Sequence, residues 1–439
     1  MADIRTNEYA ERLSRLIQVE TISTFNQTDK TKFYKFHEEL RKMFPKLFEV
    51  CTFENFDGSF LMRWKGKTDK EPVMLMNHHD VVEATGEWTH APFGGEIADG
   101  KLWGRGTLDT KGGLWAMMQA AEELAADGFI PERDIYFLSA CTEECDGSGA
   151  DTIAKALEER GLHFYMVLDE GGFILDEPVA GAKGKFAVIG LGEKGCADLK
   201  FIARSRGGHA SIPPKNTPLV RLGKFMAAVE KKNIFEAKIS PTVHATFRSL
   251  SSAMSGPLKT VLKNSRIFQP LLVKAMPMVS GAAAAMLRTT VAFTMASGSE
   301  GTNVLPQEAW VIANMRFSHH QGGKASIEAI SELAEKYDIE TVVLDPGVDS
   351  PVSDHNSDAY KLVDEAVTNV FTDVKTTPYI MTAASDSRFM WRISKNCLRF
   401  APFSISDSQL EGIHGIDENV DLSALAPAVD FYRYIIKKA

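Results

Sequence analysis

The string LMNHHDVV, residues 75–82, closes an apolar run with His78 and Asp80 two residues apart. Side chains of a strand alternate between faces, so these two would project to the same side. A metal-bound imidazole whose second nitrogen is held by a carboxylate has that arrangement. An isolated H-x-D reads more simply as a solvated pair at a strand end, so the metal reading needs further ligands in comparable positions. Four other blocks offer them. GRGTLDTKGG carries Asp109 in a glycine-rich loop, where glycine permits close backbone approach to a ligand. DIYFLSACTEECDGSGA runs an apolar strand into Glu143 and Glu144, FYMVLDEGG does the same with Asp169 and Glu170, and EGIHGIDENV places His414 in a loop before the last helix.

Each block alone has an ordinary structural explanation, but together they describe one place. Ligands of open parallel sheets gather outside the carboxyl ends of the strands, and His78, Glu143, Glu144 and Asp169 all stand at such ends. Imidazole and carboxylate donors suit zinc, cobalt or manganese better than copper or an iron-sulfur cluster. A shared carboxylate can bridge two ions about 3.5 to 4 Å apart, and Asp109 is the candidate for it. His79 would face away from this set, because the H-x-D spacing selects His78.

The elements that must position these residues follow from periodicity. Apolar runs at 59–64, 72–76, 134–139 and 164–168 read as strands, and helical spacing marks 8–17, 32–43, 111–126 and 150–160. Almost wholly apolar strands alternating with helices predict an α/β fold, a mostly parallel central sheet flanked by helices. The character changes near Gly190 to Gly195, and the resulting division is residues 1–193 as a first catalytic segment, 194–318 as an inserted α+β lid, and 319–439 as a second catalytic segment. HHQGG at 319–323 reads as the return hinge. A chain of 439 residues is long enough for such a two-part design.

Composition excludes several classes. A net charge of -9 without a basic block argues against a nucleic-acid partner. Five scattered cysteines form no C-x-x-C framework and read as reduced thiols, and the charged N-terminal stretch lacks an apolar signal core, so a cytoplasmic protein is expected. The apolar stretch from Ile267 to Leu287 contains Lys274, Pro270, Pro277 and Gly281, which fits a buried or interface helix and not a membrane span. His319, His320 and His355 stand in polar loops and read as solvated.

The blocks H-x-D-V-V, G-R-G-x-x-D-x-K-G, E-E, D-E-G-G and the late H-G, in this order over essentially the full chain, resemble the cocatalytic dizinc metallopeptidases that include aminoacylase, glutamate carboxypeptidase and carboxypeptidase S. The resemblance implies the zinc-peptidase type of fold and two divalent metal ions, zinc with cobalt or manganese as alternatives. It implies that His78, Asp109 and Asp169 bind one ion and Asp109, Glu144 and His414 the other, with Asp80 orienting His78 and Glu143 acting as general base. It further implies a metal-bridging water as nucleophile, His209 in ARSRGGHASIP as an oxyanion-stabilising residue that reaches a partner's site in dimeric relatives, and Asn303 and Arg316 as substrate contacts. An arginine there would clamp a free carboxylate with paired hydrogen bonds. Ser385 to Arg388, in MTAASDSRFM, are expected to line or support the site.

The expected activity is hydrolysis of an amide or peptide bond next to a free carboxylate, on a dipeptide, short peptide or N-acyl amino acid. Alternatives are a deacylase or desuccinylase for one metabolite, and a metal-binding homologue without catalysis. The stretch from Leu250 to Arg288 resembles the carboxypeptidase S and N-acyl-amino-acid hydrolase branch in its length. It could cover the site, form an acyl channel or make a homodimer interface.

Overall fold

The computed structural model describes residues 5–232, 234–279 and 281–439. Its main feature is a ten-stranded sheet. At the centre, Ile135–Ala140, Val73–His78, Met166–Asp169 and Cys397–Arg399 lie side by side and parallel. Antiparallel pairs occur toward both flanks, where Ser59–Trp64 meets Ile135–Ala140 and Lys185–Glu193 meets Cys397–Arg399. Every residue of Val73–His78 and Ile135–Ala140 is buried, as strands covered on both faces require.

The long helices Lys111–Ala126 and Leu422–Lys438 close one face of this sheet with Leu13, Trp115, Leu425 and Phe431 in a common core. Ser148–Glu159 and the short 3-10 segment Asp386–Arg392 cover the other, packing Ile153, Leu157 and Met390 against Met74, Met76 and Leu138. The helix after Asp109 sits unusually close to the sheet. A Cβ at Gly113 would stand 2.3 Å from Asn77 Oδ1, and one at Gly112 would stand 2.1 Å from the Thr107 carbonyl oxygen. The glycines after Asp109 therefore serve close packing against the protein's own chain, where a ligand had been expected.

A second sheet has four strands in the order Thr290–Ser297, Glu308–Arg316, Cys196–Arg204 and Glu340–Asp345, all antiparallel. Burial alternates along Glu308–Arg316, so this sheet has one covered face. Pro218–Lys231 and Gly322–Glu335 supply the cover, with Leu222, Phe225, Ile330 and Leu333 against Leu199, Phe201 and Val311.

The change of unit expected at residues 318 and 319 falls later in this arrangement. Helix Gly322–Glu335 and strand Glu340–Asp345 follow the expected hinge, yet they complete the smaller sheet. The return crossing is the stretch after Asp345. There Ser353 N–H donates to the Leu191 carbonyl at 2.7 Å, and the backbone at Gly347 passes so near Cys196 that a Cβ would lie 1.4 Å from its carbonyl oxygen. The outgoing and returning links thus run beside each other.

The helical stretch expected in the lid packs elsewhere. Pro241–Ser251 lies on strand Val374–Met381 of the large sheet, where Thr246 Oγ1 donates to the Pro378 carbonyl at 2.6 Å and Ser249 Oγ to the Thr376 carbonyl at 2.7 Å. Val243, Phe247, Leu250, Leu262, Leu272 and Leu287 then form a separate small core with Phe186. Among the described residues no helix is long and apolar enough to cross a membrane.

Candidate metal centre

Three of the expected ligands meet at the carboxyl ends of the central strands. One donor atom each from His78, Asp109 and Glu144 lies within 4.8 Å of the others. His78 ends its strand with Nε2 at 3.0 Å from Asp109 Oδ1. His414 arrives from the loop after Asp407–Gly412 in a left-handed conformation, φ 59°, and its Nε2 stands 3.1 Å from Asp109 Oδ2 and 3.0 Å from Glu144 Oε2. Asp109 therefore presents one oxygen to each histidine.

The second atoms of these groups are held from behind. His78 Nδ1 lies 2.9 Å from the Asp80 carbonyl oxygen and 3.5 Å from the Asp80 carboxylate. That carboxylate, wholly buried, is chiefly occupied elsewhere: Ser23 Oγ donates to it at 2.7 Å, Glu144 N–H at 3.1 Å and Glu143 N–H at 3.3 Å. Asp80 thus anchors both the His78 ring and the turn that bears the acid pair.

The Asp109 loop depends on a residue that sequence reasoning did not single out. Glu418, fully buried, accepts N–H bonds from Gly106 at 3.0 Å, Leu108 at 2.8 Å and Asp109 at 3.1 Å, and pairs with Arg105 at 2.8 Å. The signal was present in EGIHGIDENV, where an acid follows His414, but nothing in that string tells that its partners lie some three hundred residues earlier. Thr110 adds a second tie, its hydroxyl donating to the His78 carbonyl at 2.9 Å.

Asp169 is tied to the backbone beside the cluster. Both of its oxygens accept backbone N–H bonds, Oδ1 from Glu170 at 2.9 Å and Oδ2 from Ser387 at 2.8 Å, and the charges next to it are Arg399 and Glu193. Glu170 is the residue whose charge meets the site. Burial pushes its carboxyl pKa well above the usual range, and Asp109, Asp169 and Glu144 push it further while His78 opposes them.

Electrostatics sets these groups apart from surface acids. Burial alone would drive the His78 imidazole toward neutrality, but Asp109 and Asp80 outweigh it and hold its pKa well above 6.5. Contacts with Asp109 and Glu144 raise His414 to about 10. Burial and the neighbouring Asp386, Glu170 and Glu144 hold the Glu143 carboxyl well above its ordinary range, against the pull of His78. Glu144 Oε1 is buried and bonded to no described residue. A crowd of buried carboxylates around two imidazoles, with a spare oxygen turned inward, fits a divalent cation by its donor chemistry.

The block from Ser385 to Arg388 supports the site. Glu193 Oε2 accepts from Ser385 N at 3.0 Å and Ser385 Oγ at 2.8 Å and pairs with fully buried Arg399 at 2.9 Å, while Ser387 N holds Asp169. Arg388 Nη1 lies 3.7 Å from Glu143 Oε1. Cys141, beside the acid pair, has its thiol pushed up to about 12, chiefly by burial, and its Sγ lies 3.4 Å from Ser59 Oγ and 3.6 Å from the Asp57 carbonyl oxygen. His79 is fully buried, stacked on Phe36 at 5.0 Å with Nδ1 2.8 Å from Ser139 Oγ. His319 departs from its expected solvated setting: its Nε2 is buried, and burial lowers its pKa to about 4.

The lid candidates have their hydrogen bonds within the smaller unit. His209 and Asn303 sit side by side on a two-stranded ribbon, His209 opposite Val304 and Ala210 N–H donating to the Asn303 carbonyl at 2.9 Å. Both are exposed, and His209 Nδ1 is 2.7 Å from Ser211 Oγ. Arg316 ends its strand opposite Cys196 at the crossing between the sheets, with Nε donating to Asn314 Oδ1 at 3.0 Å. Its charge helps to lower buried Lys194 to about 7, after the larger effect of burial.

Residues 74–438 match the profile of Peptidase family M20/M25/M40. Among curated proteins, the chain is 32% identical to probable carboxypeptidase S-like 2 of Dictyostelium discoideum, over 98% of this chain and 85% of that protein. It is 30% identical to the human N-fatty-acyl-amino acid synthase/hydrolase PM20D1, over 98% and 87%. Among solved structures, an M20 family metallo-carboxypeptidase from Sulfolobus solfataricus superimposes with a TM-score of 0.71 at 17% identity, covering 98% of each chain. Human carnosine dipeptidase 1 does so with 0.66 at 16%, covering 99% of this chain and 97% of the other.

Proposed function

Because the chain belongs to Peptidase family M20/M25/M40, we propose that it is a metal-dependent hydrolase of an amide or peptide bond adjacent to a free carboxylate. The observation that carries this reading is the convergence of His78, Asp109 and Glu144 within 4.8 Å, with His414 on the same two carboxylates. His78, Asp109 and Glu170 would hold one divalent ion and Asp109, Glu144 and His414 a second, zinc being the ion favoured by the donor set. Such ions supply a water acidic enough to attack at neutral pH and a Lewis acid for the carbonyl oxygen.

The chain's own groups perform the remaining work. Glu143, half-buried beside the cluster, takes the proton of the attacking water and delivers it to the leaving nitrogen. Asp80 keeps His78 and the Glu143 turn in register through the bonds described above. Arg316 would receive the free carboxylate at the crossing between the two sheets. His209 and Asn303, both exposed, would act on the site of a second copy in a homodimer.

An N-acyl amino acid or a short peptide is the substrate class. The named activities of the human and Dictyostelium relatives support it, as does similarity to carboxypeptidase S of Saccharomyces cerevisiae, 26% identical over 98% of this chain. The five cysteines are all free, which supports a reducing, cytoplasmic setting. Turnover of a panel of dipeptides and N-acyl amino acids with added zinc, cobalt or manganese tests the proposal. Turnover that requires the free carboxylate and disappears with a chelator is expected; no turnover of any member in the presence of bound metal would overturn it.

A further inference from the structure

From Ala237 to Ser299 the chain contains no aspartate or glutamate, although the whole protein carries a net charge of -9. Lys238, Arg248, Lys259, Lys263, Arg266 and Lys274 fall within this stretch, and all six are exposed. None forms an ion pair with a described residue. These residues belong to the helical layer that packs on Val374–Met381.

The outer side of that layer is also apolar. Ile267 is 77% exposed, Leu271 57% and Met278 87%. With Lys274 they follow the spacing of one helical stripe along the Gln269–Val279 helix and the turn before it. The inner side of the same segment is filled by Leu262, Leu272 and Leu287, so the exposed stripe is not a displaced core. Beside it, a groove of about 450 Å³ is lined by Arg248, Lys263, Arg266, His244 and Ile267, with no carboxylate among its walls.

We propose that this layer docks on an anionic phospholipid surface, with Ile267, Leu271 and Met278 entering the interfacial region and the surrounding lysines and arginines meeting lipid phosphates. Large apolar side chains flanked by unpaired cations are what such a surface rewards. An acidic protein that confines an acid-free basic stretch to one layer is electrostatically oriented toward it. The layer also adjoins the crossing between the two sheets, because Lys194 Nζ donates to the carbonyls of Arg288 at 2.9 Å and Ala285 at 3.1 Å. The inference rests on charge and exposure and does not require the substrate reading given above.

Co-sedimentation of the full chain with vesicles of phosphatidylcholine, and of phosphatidylcholine with phosphatidylglycerol in equal parts, tests it. Binding to the mixed vesicles alone is expected, weakening at least tenfold from about 0.1 M to about 1 M salt as the Debye length falls from about 10 to about 3 Å. Each of Lys259→Glu, Lys263→Glu and Lys274→Glu should lower partitioning by roughly fivefold or more, and Leu271→Glu with Met278→Glu should abolish it. Ile267→Glu alone serves if the double variant loses its cooperative thermal transition. Failure of the wild-type chain to bind the mixed vesicles would overturn the proposal. So would equal binding to both vesicle types, wild-type binding by the folded variants, or loss of a homodimer in the Leu271 and Met278 variants with no vesicle binding by the parent.

Discussion

Glu418 Oε1 accepts the backbone N–H of Asp109 at 3.1 Å, so the residue that faces both histidines is held by an acid from the far end of the chain. The same carboxylate neutralises Arg105, buried at 1% exposure. Removing one partner of a buried pair leaves the other charge uncompensated, at about 3 to 5 kcal/mol. Glu418→Ala should lose stability of that order in denaturant titration and release metal more readily, by about 10- to 100-fold in affinity. A variant with wild-type stability would show that the Asp109 loop is held by other means.

Glu170 and Asp169 should separate in metal analysis. Glu170→Ala is expected to lower metal retained after dialysis by at least about tenfold in affinity. Asp169→Asn leaves one acceptor for two N–H donors and should act first on thermal stability, by about 1 to 3 kcal/mol. The reverse ranking would return the ligand role to Asp169.

Glu143→Ala should reduce turnover by about 10²- to 10⁴-fold while leaving bound metal unchanged. Kinetics beside elemental analysis of the same preparation checks both halves. Arg388→Ala, which removes the guanidinium 3.7 Å from Glu143, should shift the acid limb of the pH-rate profile upward by disfavouring the ionised carboxylate.

Acid stability should show the buried His37. Burial lowers its pKa from 6.5 to about 4, with a hydrogen bond to the Gly58 carbonyl opposing. Between those values the unfolded chain binds the proton and the native chain does not, so stability rises with pH through that window. The contribution is complete above pH 6.5 and is lost as pH falls toward 4, at most about 3 kcal/mol. Denaturant titrations from pH 7 to 4 should show this slope, and His37→Phe should flatten it.

Much of the site was legible because its ligands end apolar runs. His78, Glu143 and Glu144 follow strands whose hydrophobicity alone predicts burial on both faces, and the structure places all three at the carboxyl ends of neighbouring parallel strands. The choice between Asp169 and Glu170 was not legible, since two adjacent carboxylates differ only in the face each takes at the last residue of a strand. The end of the smaller unit was missed for a related reason. Gly322–Glu335 and Glu340–Asp345 have the same helix-strand pattern as the large unit, and only the pairing of Glu340–Asp345 with Cys196–Arg204 assigns them.

The sequence by itself determined the kinds of donor, their order along the chain and the strand ends that carry them, because hydrophobic periodicity and side-chain chemistry are local properties. Tertiary structure alone decided that Asp109 is shared by His78 and His414, that Glu418 fixes its loop, that Ser387 and Glu170 N–H groups hold the Asp169 carboxylate, and that the basic helices lie on the large sheet. Each of those outcomes depends on contacts between residues far apart in the chain, and such contacts are set by packing and pairing, which no single segment contains.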